Sequence, residues 1–112
     1  MKMLAVGVAS RADVNRRFLA AFAGKEQGAR LNFATPELLF EALTAKRWEI
    51  IKAMCGQGPL SEREIAKRVG RDVRTIRSHV TALVKAGVLD QTDEGIEFPY
   101  DAIKVEFTLR SA

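Results

Sequence analysis

Five side chains close together in the sequence, Arg71, Arg74, Thr75, Arg77 and Ser78, have the types and spacing to recognise nucleic acid. An arginine can hydrogen-bond guanine O6 and N7 together, and a serine or threonine hydroxyl can serve several bases. A second set, Lys46, Arg47, Arg63, Lys67, Arg68 and Thr81, suits phosphate contact, which orients a protein on a duplex without reading its sequence. Bond-making chemistry has far less to stand on. The chain has no phosphate loop and no metal-ligand cluster, and its one histidine, His79, has no nucleophile at a recognisable spacing, so an enzyme is not expected. His79 reads as a helix-packing or phosphate-contacting residue. Cys55 is the sole cysteine, which excludes an internal disulfide and leaves too few ligands for a structural zinc site. Neither cofactor nor metal is expected.

The recognition set has to be presented by a helix. Val73, Ile76, Val80, Leu83 and Val84 fall on one arc at about 100° per residue, and Arg74, Arg77, Ser78, Thr81 and Lys85 fall on the opposite arc. Burying the aliphatic arc, at ~1.5–3 kcal/mol per side chain, turns the basic arc to solvent. Asp72 is a good N-cap for this helix and Gly87 a good terminator, giving a span to about Ala86. Before it, Ser61-Glu62-Arg63-Glu64 reads as a capping box opening a short helix over Glu62–Val69 that stops at Gly70. Thr44 caps a helix over Ala45–Cys55 with Trp48, Ile51 and Cys55 on one stripe, and Gly56-Gln57-Gly58-Pro59 ends it. After the basic helix, Val88–Gln91 and Gly95–Phe98 flank Thr92-Asp93-Glu94 as a hairpin with a polar tip. A capped helix, a glycine turn, a helix with a basic outer face and a hairpin together spell a winged helix-turn-helix.

Around this core the expected architecture is α+β. Residues 1–43 read as an α/β extension for dimerisation or partner binding: a strand Leu4–Val8, a helix Arg11–Ala23, a strand Arg30–Ala34 and a helix Pro36–Leu43 opened by Thr35, Pro36 and Glu37. Phe18, Phe22, Phe33 and Phe40 there suit a core or a dimer seam, and Arg11, Arg16 and Arg17 a solvated face. Residues 44–98 form the winged helix-turn-helix, and 99–112 a C-terminal strand in which Ile103, Val105, Phe107 and Leu109 alternate with polar residues. That strand needs a partner, from this chain or a dimer mate.

A length of 112 residues suits one small domain with an appendage, and 29% charged residues suit a soluble chain. Net charge is +2 over residues 1–43, +5 over 44–90 and −3 over 91–112, so the basic excess coincides with the helices that would face phosphate. The same charge also fits an ordinary solvated face, or a winged helix used only for protein contacts. No apolar run spans a membrane, and within the apolar run Met3–Ala9 the residues Leu4–Val8 read as a strand rather than as part of a signal peptide. A single cysteine fits a reducing cytoplasm.

The runs Gly58–Val73, His79–Leu83, Ala86–Asp90 and Phe98–Phe107 resemble small prokaryotic MarR/ArsR-like winged-helix regulators, among them TumA-like antitoxin components of toxin–antitoxin modules. The resemblance covers about 44–109. It implies a homodimeric, cytoplasmic repressor that binds double-stranded operator DNA of its own operon and neutralises a partner toxin. A stand-alone repressor is the alternative within the same resemblance. Metal-sensing relatives carry clustered Cys and His, which this chain lacks. The hairpin tip is Asp93-Glu94, which phosphates would repel, so the wing is expected to stand off the duplex or to face a partner.

Overall fold

The computed structural model describes residues 2–9, 29–109 and 111. The expected helix Arg11–Ala23, with Phe18, Phe22 and the arginines Arg11, Arg16 and Arg17, lies outside the described residues. The fold is α+β and divides into two units, one built from residues before Glu41 together with those after Asp101, the other from Glu41–Asp101.

The first unit holds a three-stranded parallel sheet. Strand β1 (Met3–Val8) lies between β2 (Ala29–Phe33) and the strand Ala102–Val105, which is β5 in chain order. Ala5 faces Arg30 on one side and Lys104 on the other. Leu4 and Val6 are buried, as expected for alternate residues of a central strand. β5 is shorter than the alternation over Ile103–Leu109 suggested. Its register on β1 runs from Met3↔Ala102 to Val6↔Val105, and the Glu106 N–H donates to the Val6 carbonyl at 2.9 Å. No further β1 pairing continues it among the described residues, and Leu109 is left 86% exposed. Helix α1 (Pro36–Ala42) begins as expected: the Thr35 hydroxyl accepts the Leu38 N–H at 3.2 Å. Phe40 meets Phe107 edge-on, with ring centroids 6.2 Å apart.

The second unit contains helices α2 (Ala45–Met54), α3 (Glu62–Val69) and α4 (Val73–Ala86), then an antiparallel hairpin of β3 (Asp90–Thr92) and β4 (Gly95–Glu97). Thr44, Ser61 and Asp72 each cap a helix, accepting the N–H of Arg47, Glu64 and Thr75. Only half of the expected capping box forms, because no bond returns from the Glu64 carboxylate to the Ser61 N–H among the described residues. The buried face of α2 is Ile50, Ile51 and Met54. Trp48 and Cys55 are half-buried at its margins, which corrects the stripe inferred from spacing. From α4, Ile76, Val80 and Leu83 join Ile65, Val88, Leu89, Ile96 and Phe98 in one apolar core.

Two backbone features set the helices and hairpin in place. Gly70 ends α3 at φ 71°, a left-handed conformation that carries the chain into α4. Leu60 and Ile96 exchange two backbone hydrogen bonds of 2.8 Å, tying the segment before α3 to β4. Gly95, at φ 140°, makes this approach possible: a Cβ there would lie 2.8 Å from the Leu60 carbonyl oxygen.

Candidate nucleic-acid interface

α4 positions the site. Its inner side is pinned by Ile76 and Leu83, both at 0% exposure, and by Val80. Arg74, Arg77, Ser78, Thr81 and Lys85, spaced three and four residues apart, are exposed along its outer side. A helix with one side sealed in the core has a fixed rotation, so this stripe is held outward.

The arginines differ in what they already bind. The Arg74 side chain is exposed and makes no hydrogen bond or ion pair with the described residues. Arg77 donates from Nε to the Glu62 carboxylate of α3 at 2.9 Å, and its side chain is 65% exposed. Arg71, in the α3–α4 turn, donates from both Nε and Nη2 to one oxygen of Glu49 on α2, at 3.3 and 3.1 Å. Arg71 also lines a cleft of about 620 Å³ with Glu49, Lys52 and Arg68.

The hydroxyls are partly committed. Thr75 is half-buried, and its hydroxyl donates to Asp72 at 2.9 Å, so it reinforces the helix cap. That bond and the Thr75 N–H hold the Asp72 carboxyl below its usual range, the backbone bond being the larger cause. Ser78 donates to the Thr75 carbonyl at 3.0 Å, which leaves its oxygen able to accept. Thr81 is exposed.

Among the residues suited to phosphate, Lys46, Arg63 and Lys67 are exposed and form no hydrogen bond or ion pair with the described residues. Arg68 is exposed but donates to Gln57 Oε1 at 2.6 Å. Arg47 is turned inward. Its Nε donates to His79 Nδ1 at 3.2 Å, and its Nη1 to the carbonyls of Glu41 and Ala42. Burial first, then the charges of Arg47, Lys46 and Arg71, depress the His79 pKa and keep the imidazole neutral, an acceptor at Nδ1.

Residues 42–105 match the family model HVO_A0114. The chain belongs to the HVO_A0114 family. The HVO_A0114 match takes in the three helices of the second unit, the hairpin and β5, and so contains every basic residue of the interface. No curated protein matches the chain.

Sequence reading passed over Glu49, Glu62 and Gln57, the partners that organise Arg71, Arg77 and Arg68. Glu62 has a local signal, an acid in the first turn of a helix, but that signal speaks of the helix dipole and not of Arg77. Glu49 and Gln57 carry none. Among the described residues, no group of three His, Cys, Asp or Glu is placed to hold a metal ion, and no helix is long and apolar enough to cross a membrane.

Proposed function

We propose that Glu41–Asp101 is a winged helix-turn-helix that binds double-stranded DNA, with α4 as the recognition helix, in a regulator of transcription. One observation carries the reading: Arg74, Arg77, Ser78 and Thr81 are exposed on α4 while Ile76, Val80 and Leu83 behind them are sealed. A helix so mounted enters the major groove with its first turns against base edges. Arg63, Lys67 and Lys46, without an ion-pair partner among the described residues, supply positive charge for phosphate. The hairpin supports phosphate contact poorly, because Asp93 and Glu94 form its exposed tip, so the wing stands off the backbone.

Pairing of two copies on a palindromic site, as operator readers of this kind require, belongs to the same proposal. Exposed Leu38, Phe40 and Val105 of the first unit support it. The role of cytoplasmic antitoxin and repressor of its own operon rests on the sequence resemblance. Co-purification with the product of the adjacent gene tests it.

Arg74→Glu and Arg77→Glu, each reversing a charge on an exposed position, are expected to lower duplex affinity at least about a hundredfold while leaving the thermal transition in place. Fluorescence anisotropy with labelled duplex, beside circular dichroism melts, measures both. Unchanged affinity in both variants would remove α4 as the reading element.

A further inference from the structure

We infer that Glu62 is a positioning residue that presents Arg77 for bidentate recognition of a guanine, making this pair the specificity determinant of the recognition helix. The inference rests on the DNA-binding reading above and follows from the donors each arginine has left. A guanidinium has one N–H on Nε and two on each Nη. Arg71 lies before α4 and gives its Nε–H and one Nη2–H to Glu49, so its side-on fork is occupied and its guanidinium is tied to α2 rather than presented by α4. Arg77 gives Glu62 only its Nε–H, and both Nη groups remain without a partner among the described residues. The terminal fork of Arg77 is therefore free, and the bond at Nε fixes the plane in which it lies. Two N–H groups from such a fork match guanine O6 and N7 in the major groove.

Glu62 is itself partly packed. Its side chain is 32% exposed, and it lines a groove of about 270 Å³ with Val80, Thr81, Val84 and Gln91. Arg77 is thus bonded to a carboxylate that is partly sheltered from solvent. Arg74 has no such tether among the described residues, and it must give up its rotamer freedom on contact. An exposed ion pair of this kind contributes little to stability, which leaves orientation as its effect.

Selection of binding sites from a pool of random duplexes tests this with the full-length chain and its variants Glu62→Ala, Glu62→Gln, Arg77→Ala and the double variant Glu62→Ala/Arg77→Ala. The wild type is expected to recover a fixed guanine whose replacement weakens binding roughly tenfold or more. Arg77→Ala should erase that preference. Glu62→Ala should reduce it about as far while leaving affinity for random duplex unchanged or higher, since a negative charge is gone. Glu62→Gln, whose carbonyl oxygen still accepts the Nε–H, should keep most of it, and the double variant should have the same selectivity as Arg77→Ala. A guanine preference that survives Glu62→Ala, or one that depends on Arg74 rather than Arg77, overturns the inference while DNA binding stands. A wild type that binds random duplex with no base preference makes Arg77 a phosphate contact and overturns it too. A wild type that retains no duplex at low salt removes the DNA-binding reading itself, and this inference with it.

Discussion

At the scale of single residues, identical side chains have opposite uses here. Arg47 and Arg77 are both arginines in the basic middle of the sequence, yet Arg47 bonds inward to His79 and two carbonyls while both Nη groups of Arg77 lack a partner among the described residues. Sequence pattern marks the exposed side of α4 because helix periodicity is local. It is silent on Arg47, Arg71 and Arg77 as bonded groups, because their side-chain partners His79, Glu49 and Glu62 lie 32, 22 and 15 positions away and depend on how the helices pack. The Arg47–His79 contact has a measurable signature. Its surroundings favour the neutral imidazole, so the folded-state pKa lies below the ordinary value of 6.5, and the unfolded chain binds the proton more tightly. The stabilisation is complete above that value and declines as pH falls through it toward the folded pKa. Urea midpoints measured from about pH 8 to about pH 5 should drop, and His79→Gln should flatten that part of the profile. A slope unaffected by His79→Gln would place the titration elsewhere.

At the scale of elements, the helices were legible and the strands were less so. Ser61, Asp72 and Thr44 announce their helices because a cap is a bond between residues three apart, and all three form. The hairpin was legible as two runs around a polar tip, although Val88 and Leu89 are core residues ahead of the ladder and the turn is Asp93-Glu94 alone. The length of β5 was not legible, because a strand lasts only as long as its ladder, and the ladder to β1 ends at Val6↔Val105 although β1 runs on to Val8. Nor was the Leu60–Ile96 tie, which joins distant segments through backbone alone. Gly95→Ala tests that tie. It puts a Cβ against the Leu60 carbonyl and forces alanine to φ 140°, so unfolding free energy should fall by roughly 1–3 kcal/mol. Denaturant titration measures it, and a variant as stable as the parent would mean that the hairpin can shift away from Leu60.

At the scale of the whole molecule, the parallel sheet is interrupted in sequence by the entire second unit. β1 and β2 precede Glu41–Asp101 and β5 follows it. A chain ending at Asp101 is expected to exchange its β1 amides at least about tenfold faster than the full chain, while α4 amides, bonded within their own unit, keep their protection. Hydrogen exchange read by mass spectrometry would show it, and loss of protection in α4 as well would mean that the two units fold as one. The order of the strands also has a consequence for synthesis. β1, at the middle of its sheet, emerges from the ribosome long before β5, the last of the described elements. Until β5 has been made, one flank of that strand is bare, and a chain stalled before it offers chaperones, or another nascent chain, an open edge that β5 alone would close.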